Sequence, residues 1–140
     1  MSNPSPYLVP DGLFYTNEHE WARVTGGTAR VGITDYAAKT LNDIVYLTLP
    51  PVGREVKQLA SFGTVESIKA VSELYAPLSG TVIGTNQELT NHPELINQSP
   101  YDAGWIIELK PSILESEKKS LLSPEQYEEV LKSLDADHQS

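Results

Sequence analysis

The chain has 140 residues, no cysteine, and a net charge of −9 from 19 acidic and 10 basic side chains. So acidic a surface repels phosphate backbones and anionic bilayers, which argues against nucleic-acid and membrane partners. The lack of cysteine excludes disulfides and thiolate metal sites and suits a reducing compartment.

This length fits one domain with a modest core. Residues 1–10, with Pro4, Pro6 and Pro10, read as an extended arm. They hold neither a basic stretch followed by an apolar one nor an arginine-rich amphipathic pattern, so no targeting segment is read there. No run is apolar for long enough to span a bilayer. The expected compartment is the bacterial cytoplasm, or the mitochondrial matrix if a presequence has been removed.

The core is expected over residues 11–110. Gly26-Gly27, between Trp21-Ala22-Arg23-Val24 and Thr28-Ala29-Arg30-Val31, is a hairpin signal. Thr34 can cap a short helix running to about Leu41, because its hydroxyl accepts a free backbone N–H. Ile44 to Leu49 is an apolar, β-branched strand stopped by Pro50-Pro51, since proline supplies no ladder donor. Ser61–Ser67 and Ser72–Ala76 read as two strands around Lys69, and Gly80–Thr85 as another. Asn91 to Ile96 suggests a turn and a short helix. Trp105, Ile107 and Leu109 alternate with Ile106, Glu108 and Lys110, the period of a half-buried strand. A weak internal repeat pairs residues 53–67 with 72–86. Many short strands between turn residues indicate a mainly β fold, a small sandwich or barrel with short helices.

Residues 111–140 form a helical extension packed on that core. Ser123-Pro124-Glu125-Gln126 is a helix start: a capping hydroxyl, a proline in the first turn and an amide three residues on. Tyr127, Val130, Leu131 and Leu134 then fall on one face and dock it. Fraying is expected beyond Asp135.

Enzyme chemistry finds little to build on. There is no Gly-x-Ser-x-Gly elbow and no phosphate loop, and His19, His92 and His138 are too scattered for a metal site. His92 reads as a turn residue, and His138 falls in the tail. His19, between Glu18 and Glu20, is either a histidine stabilised by its neighbours or part of a site.

Lys69 is different. It stands alone between two strand-like runs in Val65-Glu66-Ser67-Ile68-Lys69-Ala70, with the carboxylate of Glu66 three residues before it. Gly53 and Gly80 flank the region as bends that frame the hairpin. A lysine at such a turn is either a solubility residue or the attachment point of a swinging arm. A tethered group visits several active sites without being released, a gain in effective concentration. Neither neighbour of Lys69, Ile68 or Ala70, is the methionine that flanks the lysine of biotin carriers.

The lysine segment resembles the lipoyl attachment site of lipoyl-bearing domains. The rest resembles the H proteins of the glycine cleavage system: Tyr15-Thr16-Asn17-Glu18-His19-Glu20-Trp21, Val31-Gly32-Ile33-Thr34-Asp35-Tyr36-Ala37, Asn42-Asp43-Ile44-Val45-Tyr46, Leu49-Pro50-Pro51-Val52-Gly53, Pro93-Glu94-Leu95-Ile96-Asn97 and Pro100-Tyr101-Asp102-Ala103-Gly104-Trp105 occur in the family's order. The likeness implies a barrel-sandwich hybrid of lipoyl-domain type. It also implies lipoate on Lys69, with Glu66 in recognition by the lipoyl-attaching enzyme, and no catalytic site of the chain's own.

By the same resemblance the arm carries an aminomethyl group from a pyridoxal-phosphate glycine decarboxylase to a tetrahydrofolate-dependent aminomethyltransferase, and dihydrolipoyl dehydrogenase reoxidises the dithiol. The loaded arm is implied to fold into a cleft on the carrier, with Glu20 foremost and Glu18, Glu73 and His19 as further candidates. Asn42 stands where the family has glycine, and Glu73 where it more often has aspartate. A lipoyl donor for lipoate assembly, or an unmodified interaction module, remain as alternatives.

Overall fold

The computed structural model describes residues 6–139, with side chains through 134. Residues 1–5 of the expected arm and the side chains beyond residue 134, that of His138 included, lie outside this set. The larger sheet has six strands in the order β1 (Phe14–Tyr15), β2 (Glu20–Thr25), β3 (Thr28–Ile33), β9 (Ile107–Pro111), β8 (Gly80–Thr85) and β5 (Glu55–Val56). The smaller has three, β4 (Ile44–Thr48), β6 (Ser61–Ser67) and β7 (Val71–Tyr75). All the pairings are antiparallel.

The β2–β3 hairpin turns at Gly26-Gly27 as the sequence predicts, with Gly26 at a φ of +61°. α1 (Asp35–Leu41) is capped by Thr34, whose hydroxyl accepts from the Ala37 N–H. In place of one expected helix near residue 95 there are two single-turn ones, α2 (Glu88–Asn91) and α3 (Leu95–Gln98). Pro93 between them has no N–H with which to continue the first. β1 and β5 are too short to show any periodicity, and neither is visible in the sequence.

The predicted alternation in the last strand holds for Ile107, Glu108, Leu109 and Lys110. It fails at Ile106, which is buried just before β9, where its N–H donates to the Val31 carbonyl. Trp105 is only half-buried, under the Arg30 guanidinium 4.4 Å above its ring.

The two sheets enclose one core that includes Val31, Phe62, Val65, Leu74, Leu78, Val82, Ile107 and Leu109. A second cluster sits outside the larger sheet, under the C-terminal extension. That extension comprises α4 (Leu114–Glu117), a 3₁₀ turn (Lys118–Ser120) and α5 (Pro124–Gln139). The capping box forms as predicted: the Gln126 N–H donates to Ser123 Oγ, and the Ser123 N–H donates to Gln126 Oε1. Tyr127 and Leu131 are fully buried and Val130 and Leu134 partly so, against Leu13, Tyr15 and Trp21. The Tyr15 and Tyr127 rings stack 4.7 Å apart. Trp21 Nε1 donates to the carbonyls of Ile33 and Pro100, and its ring fills the space a Gly32 side chain would need.

Candidate functional site

β6 and β7 form a hairpin whose last register pair is Glu66 with Val71. Beyond it the chain turns through Ser67-Ile68-Lys69-Ala70. The Ser67 N–H donates to the Ala70 carbonyl at 2.8 Å, and Ser67 Oγ accepts from the Lys69 and Ala70 N–H groups. Serine favours turns for this reason, its hydroxyl replacing backbone partners. One bond ties the turn to the body: the Ile68 N–H donates to the Asp43 carbonyl. The corner holding Asp43 is itself clamped by Asn97, whose amide donates to the Asn42 carbonyl and accepts from the Ile44 N–H. The turn is therefore rigid in its backbone, while the Lys69 side chain is exposed and meets no partner among the described residues. Ile68 and Val71 beside it are 68% and 64% exposed, and Glu66 is exposed too.

Gly53 and Gly80 lie elsewhere than the ends of this hairpin. Gly53 has a φ of +98° and donates to Val82; Gly80 pairs with Val56 and Pro111, where a side chain would strike the Lys110 carbonyl. Both shape the larger sheet.

Val71, Glu73 and Tyr75 share one face of the edge strand β7, a track of roughly 13 Å at ordinary strand rise. It ends at a cleft of about 460 Å³. Thr16, Glu18, Leu59, Tyr75, Leu121 and Leu122 are among its lining residues. Its walls therefore come from the turn before β2, the turn before β6, the end of β7 and the C-terminal extension, segments far apart in sequence.

The carboxylates picked out by sequence take different places. Glu18 is exposed and lines the cleft. Glu73 is exposed on the track and accepts from the Ser61 hydroxyl. Glu20 is 1% exposed, behind the wall: it accepts from the Thr16 hydroxyl at 2.6 Å and from the Tyr75 N–H at 3.2 Å, so it fixes two lining residues in place. Burial pushes its carboxyl up to about 7, although both hydrogen bonds pull the other way. His19 turns away from Glu18. Its Nδ1 meets the Tyr127 hydroxyl at 2.8 Å, its ring packs on Tyr36, and burial lowers its pKa to about 4. Leu59 and Tyr75 had no sequence signal as site residues, and Asn97 stood in a family motif that did not disclose its clamp, because each acts through a tertiary contact.

A sandwich whose tight hairpin turn holds one amine out in solvent is the architecture of the barrel-sandwich, lipoyl-type carrier domains. Comparison with known proteins makes this specific. The profile of the Glycine cleavage H-protein family matches residues 13–134. A probable glycine cleavage system H protein of Pyrococcus abyssi is 57% identical over 135 residues, 96% of this chain and 100% of that one. The glycine cleavage system H protein of Geobacillus kaustophilus is 56% identical over 123 residues, 88% of this chain and 96% of its own. The crystal structure of such a protein from Mycobacterium marinum matches with a TM-score of 0.71 and 40% identity, over 74% of this chain and 87% of that chain. The chain belongs to the glycine cleavage H-protein family. Its members are the lipoyl carriers of the glycine cleavage system, components that serve its enzymes rather than catalysts. Among the described residues, no helix is long and apolar enough to cross a membrane.

Proposed function

We propose that Lys69 carries a lipoyl group in amide linkage and that the chain shuttles a one-carbon unit between the enzymes of the glycine cleavage system. The observation that carries this is the hairpin turn: its backbone is held by Ser67 and Asp43, while the only amine on it is exposed and without a partner. The fit to the group is direct, since a free primary amine is what amide formation with a carboxylic acid requires. A rigid turn also lets a modifying enzyme close around the lysine from both sides. When bound, the lipoyl group supplies a redox-active dithiolane at the end of a long flexible chain.

The remaining work falls to this chain's own residues. Glu66, one register pair below the turn, is the recognition carboxylate for the lipoyl-attaching enzyme. Val71, Glu73 and Tyr75 guide an arm from the turn to the cleft. Glu18 offers the cleft an exposed carboxylate for a cationic group, a charge-assisted bond stronger than a neutral one. Glu20 sets the wall by holding Thr16 and Tyr75, and His19 anchors the loop below through Tyr127. Gly53 and Gly80 keep the larger sheet in shape behind the hairpin. The partners read here are a pyridoxal-phosphate glycine decarboxylase, a tetrahydrofolate-dependent aminomethyltransferase and dihydrolipoyl dehydrogenase. Residues 11–110 form the carrier body, with Leu8 and Pro10 before it bonded to Asp35, Tyr101 and Tyr15, and the extension after residue 110 closes one side of the cleft. The working compartment is the cytoplasm.

Peptide mapping of protein from its native source tests the attachment. Trypsin does not cut after an acylated lysine, so modification fuses residues 58–69 to the following peptide and adds one lipoyl mass. Lys69→Arg is expected to remove both the mass and all activity with the partner enzymes. A free Lys69 in cells that make lipoate would overturn the proposal.

A further inference from the structure

The turn before β6 contains a conflict between backbone and side chain. Lys57-Gln58-Leu59-Ala60 is closed by the Ala60 N–H donating to the Lys57 carbonyl, and Leu59 sits in its third position at a φ of +67°. A turn with this sign at that position calls for glycine or asparagine, because a side chain in left-handed backbone crowds the following carbonyl. The surroundings impose the conformation. The Leu59 N–H donates to the Ala76 carbonyl at 2.7 Å, and the Ala76 N–H donates to the Ala60 carbonyl. Gln58 is fixed as well, its amide donating to the Pro77 and Glu117 carbonyls and to Ser120 Oγ.

Core packing does not explain the leucine. It is 59% exposed, so little of its apolar surface is buried by the fold. A bulky apolar residue in a glycine-type position, half in water, is a doubly unfavourable choice for stability. Strain held in place by its surroundings points to function when it falls at a ligand site. Leu59 lines the cleft, with Tyr75, Leu121 and Leu122 supplying further apolar wall.

We propose that Leu59 is the apolar lip of the cleft, closing over the hydrocarbon part of a lipoyl arm and shielding its sulfurs from water. The inference rests on the reading of Lys69 as the attachment point. An arm lying along the wall would bury the leucine surface that the fold leaves 59% exposed. The gain appears in the modified protein alone; the unmodified protein bears only the strain.

The test uses wild type, Leu59→Gly and Leu59→Ala, each with Lys69 free and enzymatically lipoylated, with modification verified by mass. The chain has no cysteine, so after reduction the only thiols are those of the arm. Their rate of alkylation by iodoacetamide therefore reads cover over the arm directly, without partner enzymes. Wild-type protein is expected to alkylate more slowly than free reduced lipoamide. Both variants are expected to alkylate roughly tenfold faster than wild type, the size expected when the cover of one leucine side chain is lost. Unmodified Leu59→Gly is expected to melt about 4 °C above wild type, as strain is released. Unmodified Leu59→Ala is expected to show no such rise.

Protection that is equal in wild type and both variants overturns the role of Leu59 and leaves the cleft reading standing. Wild-type thiols as reactive as free lipoamide overturn the cleft reading and the lip together. A chain that no lipoyl ligase modifies at Lys69 overturns the attachment itself.

Discussion

His19 and Glu20 are sequence neighbours whose protonation equilibria oppose each other. Burial raises the Glu20 carboxyl from an ordinary 4.5 to about 7, so between those values the folded chain holds a proton that the unfolded chain has lost. Stability from this group is present below pH 4.5 and is lost as the pH rises to 7. Burial lowers His19 from 6.5 to about 4, so there the unfolded chain binds the extra proton. That contribution is present above pH 6.5 and is lost as the pH falls towards 4. Linkage makes each slope about 1.4 kcal/mol per pH unit, with opposite signs. The two nearly cancel from pH 4.5 to 6.5, with the smaller share from His19, whose ring is only half-buried.

Glu20→Gln removes one side of this balance. The amide keeps the shape, and any change in its bonds to Thr16 and Tyr75 is a constant offset. The stability of the variant minus that of wild type should therefore rise by about 3 kcal/mol between pH 4.5 and 7. Every other carboxylate is common to both proteins and drops out of the difference. Urea unfolding midpoints at half-unit pH steps measure it. Wild type should be the flatter of the two over pH 4.5–6.5, and the variant should lose stability as the pH falls. A difference that stays level over the whole range would show that Glu20 titrates in the folded protein as it does in the unfolded chain, and the account of its burial would be wrong.

Asn42 occupies a φ of +64° with a ψ of −150°, a region open essentially only to glycine. Its part in the Asn97 clamp is played by a backbone carbonyl. Asn42→Gly should therefore stabilise by about 1 kcal/mol, strain relief less the extra entropy of an unfolded glycine, and a lower urea midpoint would refute this. Tyr127→Phe removes a buried hydroxyl shared by His19 Nδ1 and Thr34 Oγ1 and should cost about 1–3 kcal/mol. Calorimetry would show it as a lower melting temperature, and no change would mean that these bonds contribute nothing net.

The sequence by itself was enough for whatever depends on neighbours along the chain. The Gly26-Gly27 hairpin, the Thr34 cap and the Ser123–Gln126 capping box are local agreements between residue type and backbone, and each formed where its residues stand. Lys69 was legible for the same reason, because two strands and a serine turn leave one amine at the tip. The class of fold followed from the strand pattern, and the family from motifs in a fixed order. Tertiary structure alone decided the cleft, because its walls come from segments that no periodicity links. It sealed Glu20 behind a wall and left Glu18 on the surface, although the two are separated by one residue, since only packing sets which side of a turn faces the core. It turned His19 towards Tyr127, brought Asn97 under the lysine turn, and held Leu59 in a conformation that a leucine does not adopt by preference. A side chain's burial and partners depend on what the distant chain brings to it, and that appears only once the sheets have closed.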